Sequence, residues 1–373
     1  MNVYLDNAAT TRLDDETISY VNNVIRDVYG NANSHHSVGD KARILVEEAR
    51  NSVANFINAN PSEIIFTPSG SASNTLGLQG AWSFFYEHIW YYSPIAHKSI
   101  INCLESIDES IEKIKINSKG VLSTEWLLGE FEKDWAKPFV IIDYANSEIG
   151  TIQNVKEIID LTHKYGGSVY LDCTASIPYI KTDVKELDAD MIGFSGHKLG
   201  ALKGVGVLYK KNEIQLEPII YGAQENGLVG GTYNVPAIAS LGYVLSSYNY
   251  SIHSDSSKRD YLLNKIFNSI DKVRLIGSKE QRIPNNLNLC FKGVNAARLI
   301  VMLDSKGIQV SSGSACNSGN AKPSYVLKAI RMSNEDALSC IRITLSGKET
   351  YDELDYVSNI LKLCVDTIRD GDR

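Results

Sequence analysis

The chain has 373 residues, more than one simple core needs and enough for two domains, with the composition of an ordinary soluble protein. A formal charge of −7 disfavours a nucleic-acid binder, because neutralising phosphate takes clustered Lys and Arg. The one modest basic cluster, Lys113, Lys115 and Lys119, reads as solvated surface. Residues 1–6 carry neither a basic n-region nor an apolar core, and no apolar run reaches the about 20 residues of a membrane span. A cytoplasmic protein without a membrane partner is expected. The six cysteines (Cys103, Cys173, Cys290, Cys316, Cys340, Cys364) show no CxxC pair and no zinc-like spacing, so no metal is expected.

In chain order, a short extended run at Val3-Tyr4-Leu5-Asp6 breaks into the small polar residues Asn7 to Thr11. Asp14 and Asp15 offer N-caps for a helix to about Val28. The loop 30–37 is rich in hydrogen-bonding side chains and serves either as an Asx-capped turn or as a substrate contact. Residues 39–56 read as an amphipathic helix with Ile44, Leu45, Ala49, Val53 and Phe56 on one face. A strand at 63–67 then runs into Ser69-Gly70-Ser71 and a helix signalled by Leu76, Leu78 and Ala81. Free N–H groups at such a helix start bind phosphate, although Ser/Gly before a helix is also the commonest plain cap. Another strand, 89–92, leads to His97, a position suited to a structural histidine or to stacking on an aromatic ligand. The buried strand 140–144, the exit loop 146–150, a helix from Val155 to Tyr165 and the strand 169–172 form a strand–helix–strand unit. That unit brings Asn146, Ser147 and Asp172 to one edge.

The run Met191 to Phe194 ends in Ser195-Gly196-His197-Lys198. In an open α/β sheet, ligands sit beyond the carboxyl ends of the strands. An Asp and a Lys delivered there by adjacent strands suit pyridoxal phosphate: the amine forms a Schiff base with its aldehyde, and Asp172 keeps the pyridine nitrogen protonated. Ser195 and His197 would serve its phosphate. The plain alternative is an Asp capping a turn and a Lys in solvent. A strand entered through Gly204 and Gly206 follows, then a polar loop with four glycines over 222–232 and a helix at 235–243. Polarity rises toward Ser254-Asp255-Ser256-Ser257, a domain seam. Beyond it, helices near 259–270, 296–306 and 353–368 alternate with strands near 288–291, 308–311 and 339–344. The loop 311–320 is polar, with no apolar neighbours in sequence to cover it, which makes Cys316 a candidate functional thiol. The expected architecture is α/β: a large domain (15–250) with a mainly parallel sheet flanked by helices, and a smaller α+β domain (1–14 with 251–373) carrying the cysteine loop.

Taken together, these pieces resemble the cysteine desulfurases, pyridoxal-phosphate enzymes of the aspartate-aminotransferase-like fold type I. The resemblance is carried by residues 4–11, Gly30-Asn31 with His36, Ala96-His97-Lys98, Asn146 with Glu148-Ile149-Gly150, Asp172, Ser195-Gly196-His197-Lys198, Gly231-Thr232, residues 311–316, residues 323–327 and Ile341-Arg342. It implies conversion of L-cysteine to L-alanine. Lys198, freed from the cofactor by substrate, takes the Cα proton; Asp172 stabilises the carbanion through the ring; His97 stacks on the ring and serves as acid or base. Arg342 holds the substrate carboxylate with its planar fork, helped by Asn31. Cys316 attacks the substrate sulfur and keeps it as a persulfide for a protein acceptor. The phosphate would rest on Gly70, Ser71, Ser195 and His197, with Thr232 reaching across from the second subunit of a homodimer. Asn146, Ser147 and Ala175 complete the cofactor's surroundings.

The chain also departs from that pattern. Relatives commonly carry Gln at Ala175, a second Asn at Ser147, Arg at Val229 and Gly-Pro at Ala201-Leu202. Losing the Gln contact removes about 0.5–1.5 kcal/mol of net hydrogen bonding, so slow or partner-dependent activity is one expectation. Housekeeping relatives extend beyond the helix at 353–368 and use that tail to dock an iron–sulfur scaffold; delivery to that scaffold is not expected here. Two other readings are a C–S lyase with Cys316 incidental, and a weakly active homologue acting mainly as a partner protein.

Overall fold

A computed structural model describes residues 1–133, 136–313 and 322–371. Its centre is a seven-stranded sheet in the order Ile64–Thr67, Gly206–Lys210, Met191–Ser195, Ser168–Asp172, Pro138–Asp143, Ile89–Tyr92, Glu112–Lys113. Only Gly206–Lys210 runs against its neighbours; the other pairings are parallel. The central parallel strands are buried on both faces, which explains why 138–143 and 191–195 read as unbroken apolar runs rather than alternating ones. Val140, Ile142, Val169, Leu171, Ile192 and Phe194 pack under Val46, Val53, Ile158 and Ile238 of helices on one face. Phe139, Ile141, Tyr170 and Met191 pack under Leu76, Leu78, Ile100 and Leu104 on the other.

Helix Ser37–Ile57 lies against Val235–Ser246, and the two approach closely because position 242 has no side chain. A Cβ added at Gly242 would come within 2.7–2.8 Å of Ala49. Arg50 on the first of these helices reaches Glu225 through two hydrogen bonds of 2.9 and 3.0 Å. That buried bidentate pair ties the glycine-rich 222–232 region to the large sheet's flank.

A second core joins Val3 and Leu5 to Leu262, Ile266, Leu299, Leu303, Leu361 and Val365. Its sheet pairs Asn286–Phe291 antiparallel with Cys340–Thr344 and Val273–Leu275, while Val3–Tyr4 runs parallel to Ile308–Gln309. The first residues of the chain thus pack with its last hundred. Asp6 bridges Thr344 at the end of this pairing, which leaves Asn7, Ala8 and Ala9 facing the large sheet.

Helix Asp15–Asp27 starts where expected, with Asp14 accepting from Thr17 N at 2.8 Å. Helix Ser37–Ile57 begins two residues earlier than its apolar periodicity, because His36 Nδ1 accepts from Gly39 N at 3.1 Å and caps it. Besides four one-turn helices, two helices of more than two turns among the described residues, Lys98–Ile107 and Thr124–Phe131, are additional to the sequence reading. The first is capped by a histidine rather than by Ser, Thr, Asp or Asn, and hid its start for that reason. Among the described residues, no helix is long and apolar enough to cross a membrane.

Candidate active site

Six strands of the large sheet run the same way, so the segments after Thr67, Tyr92, Asp143, Asp172 and Ser195 all leave one edge. Between that edge, the 7–9 segment and Arg342 lies a cavity of about 490 Å³. Gly70, Ser71, His97, Asn146, Ser147, Asp172, Ala175, Ser195, His197, Lys198 and Arg342 all line it, so one space receives most of the residues singled out from sequence. Asn31 and Thr232 are exposed and lie outside the cavity lining of a single chain. Cys316 lies outside the described residues. The other five cysteines are free and buried, as packing residues would be.

Lys198 ends the short turn after Met191–Ser195 and directs Nζ at the carbonyl oxygens of Ala8 and Ala9, the second at 2.9 Å. Burial lowers its amine to about 8, with the nearby Arg342 charge adding to the effect and Asp6 and Asp172 opposing it. The amine is therefore close to evenly divided between its two protonation states near pH 8. His197 Nδ1 lies 3.1 Å from Thr10 Oγ1. Burial first, then Lys198 and Lys203, lower His197 to about 4, so its ring is neutral at physiological pH and has an N–H to give.

Across the cavity, Asp172 accepts from Thr174 N at 2.8 Å and from Asn74 Nδ2 at 3.1 Å. Asn74 is held in turn. Tyr170 donates its hydroxyl to Asn74 Oδ1 at 2.7 Å, so the amide must present its NH₂ to Asp172 and to Ser99 Oγ, the latter at 2.9 Å. Ser99 Oγ, already accepting, gives its proton to His97 Nδ1 at 2.7 Å. Ser99 N also points at that nitrogen, at 3.2 Å. In the neutral ring, the His97 proton then sits on Nε2. None of Asn74, Ser99 or Tyr170 was singled out from sequence; their only signal is the fold that joins helix Gly70–Gln79 to strand Ser168–Asp172.

Ser69 caps helix Gly70–Gln79, accepting from Ala72 N at 3.1 Å, and the helix's first N–H groups have no partner within it. That start faces the cavity beside Ser195 and His197. Arg342 donates from Nη2 to Asp6 Oδ1 at 2.7 Å and from Nη1 to the Ser147 carbonyl at 3.4 Å, while its buried Nε has no acceptor. The Asn146 side chain organises the exit loop: its oxygen accepts from Glu148 N and Ile149 N, and its amide donates to Ile95 O at 2.8 Å. Glu148 is buried, and burial raises its carboxyl even though Ser324 donates to Oε2 at 2.7 Å. Gly313, at the root of the cysteine loop, lies so near that carboxyl that any side chain there would run into it.

Residues 3–357 match the family model described as aminotransferase class-V. A cysteine desulfurase IscS of Dictyoglomus turgidum is 33% identical over 378 residues, covering 98% of this chain and 95% of that one. The chain belongs to the class-V aminotransferases, and within them to the cysteine desulfurase family. A NifS-like protein of Rickettsia africae has a similar structure, with a TM-score of 0.89 at 28% identity over 98% of this chain and all of that one. SspA, solved in complex with cysteine, superposes with a TM-score of 0.80 at 27% identity, covering 94% of this chain and 100% of that one. These class-V relatives account for the fold, a mostly parallel sheet between helices with a second sheet near the chain's end, in agreement with the expected fold type I.

Proposed function

We propose that this chain is a pyridoxal-phosphate-dependent cysteine desulfurase that converts L-cysteine to L-alanine and holds the sulfur as a persulfide on Cys316. One observation carries the reading. A buried amine near its titration midpoint, Lys198, shares a cavity with a doubly hydrogen-bonded carboxylate, Asp172, and with an Arg342 guanidinium that keeps a spare donor. Asp172, Lys198 and the start of helix Gly70–Gln79 fit a phosphorylated pyridine aldehyde by the chemistry of their donors. Lys198 would hold the aldehyde carbon, Asp172 the ring nitrogen, and Gly70, Ser71, Ser195 and His197 the phosphate, with His97 against the ring and Asn146, Ser147 and Ala175 around it. Once bound, the cofactor supplies an electron sink for charge developing at the substrate's Cα.

The protein's residues do the rest. Lys198, with its affinity for a proton lowered by burial, accepts one at Nζ and gives it back near neutral pH. Asp172, fixed by hydrogen bonds from Thr174 N and Asn74 Nδ2, would hold the ring nitrogen in place. Arg342, steadied by Asp6, orients the substrate carboxylate, with Asn31 as a helper. His97, proton on Nε2, offers a donor to the reacting sulfur or nitrogen. The Cys316 thiolate attacks the substrate sulfur: a S–S bond forms, the substrate C–S bond breaks, and alanine departs. A homodimer with Thr232 serving the partner's cavity, a cytoplasmic setting and a protein sulfur acceptor complete the proposal.

Intact-mass measurement after cysteine treatment tests it. One added sulfur on the Cys316 peptide, absent from Cys316→Ser, is expected. Undiminished multiple turnover by that variant, with sulfide released, would establish a C–S lyase instead.

A further inference from the structure

Asp143 closes strand Pro138–Asp143 directly opposite Asp172 in the parallel register, so the two carboxyls leave neighbouring strands at one level and line the same cavity. Their surroundings differ sharply. Asp172 has a donor on each oxygen. Asp143 is 4% exposed and neither of its oxygens has a hydrogen-bond partner. The Ser93 hydroxyl and the Asn146 amide are the polar groups beside it, and the Ser93 hydroxyl is itself unpaired. An ionised carboxylate in such a place is far costlier than the neutral acid. Burial accordingly raises Asp143 to about 6, with Ser93 pulling it down and the Asp172 charge pushing it up. None of the roles assigned above uses this group.

The other titratable groups near it do not neutralise it. Asp172 faces it from the adjacent strand, Glu148 from the loop after its own strand, and Tyr325 from helix Tyr325–Ala329. Lys198, Lys98, Arg342 and His97 also line the cavity, and none of them hydrogen-bonds Asp143. A cation placed against Asp172 would be the charge that Asp143 lacks.

We propose that Asp143 is a second acid of the cofactor pocket: in mildly acid solution it is neutral while the pocket is empty, and it is ionised when a protonated pyridine ring binds against Asp172. The O–H bond of Asp143 breaks, the proton goes to solvent, and two carboxylates rather than one balance the ring's charge. Asp143 is thus a positioning residue for the cofactor's protonation state. The inference rests on the pyridoxal phosphate reading, so the test separates the two.

Apo protein titrated between about pH 5 and about pH 8 by infrared spectroscopy is expected to lose one protonated-carboxyl stretch centred near the Asp143 value of about 6. The near-isosteric Asp143→Asn should lack that stretch. Adding pyridoxal phosphate below that midpoint should release up to one proton more from the wild type than from the variant. The pH midpoint of the holoenzyme's visible absorbance band should fall by about one unit in Asp143→Asn, because an anion that favours protonation is gone. Absence of the stretch from the apo wild type overturns the proposal without needing the variant. So do equal proton release and an unmoved midpoint. A wild type that forms no visible band at all would instead remove the pyridoxal phosphate reading, and this inference with it.

Discussion

Replacing Tyr170 by Phe removes one hydroxyl and tests whether the Asn74 relay governs the site. The Tyr170 ring is fully buried and fits because positions 77 and 193, which press on it, are glycines. Phe keeps the ring and its packing, so the loss is confined to the 2.7 Å hydrogen bond to Asn74 Oδ1. Asn74 is 2% exposed, and an acceptor left unpaired at that depth costs about 1–3 kcal/mol. Flipping the amide would not recover it, because the oxygen would then face the Asp172 carboxylate and Ser99. Either outcome loosens the donor on Asp172 or turns the Ser99 proton away from His97. The expected result in urea titration of the apo protein is a lower midpoint with unchanged slope, worth about 1–3 kcal/mol. The ¹⁵N resonances of the His97 ring should also shift toward a mixed tautomer. A stability change under about 0.5 kcal/mol together with unaltered His97 resonances would refute the reasoning.

Three further substitutions follow from the same geometry. Lys198→Met should abolish cysteine turnover yet stabilise the apo protein at pH 7. The folded state lowers this amine from 10.5 to about 8, so below that value folding carries a charge it disfavours. The gain, on the order of 3 kcal/mol, should be full below about pH 8 and fade as pH rises toward 10.5, when the unfolded chain also gives up its proton; denaturant midpoints at both ends check it. Arg342→Lys keeps the charge but cannot serve Asp6, the Ser147 carbonyl and a substrate carboxylate together, and steady-state kinetics should show KM for cysteine rising roughly 10- to 100-fold. Gly313→Ala should collide with the Glu148 carboxyl, and single-turnover assays should show slow persulfide formation with cofactor binding and thermal midpoint nearly unchanged.

Much of this site was legible in the sequence because its parts come from strand ends. A run of buried strand residues announces its own end, and the rule that ligands gather at carboxyl edges then collects Gly70, His97, Asn146, Asp172 and Lys198 without any knowledge of contacts. What the rule cannot supply is what holds those groups in place. Asn74 sits one turn into a helix of plain composition, and only the sheet order puts that turn over Asp172. Asp6 is 336 residues from Arg342 and meets it because the first strand joins the core of the chain's last hundred residues. Asp143 was read as part of a buried strand, and periodicity alone gives no reason for a carboxylate there to matter. The strand register supplies that reason, since it sets Asp143 beside Asp172, one satisfied and one not. Chemistry-bearing residues are thus readable from local signals, whereas the groups that tune their protons depend on pairings between distant segments, which no window of sequence contains.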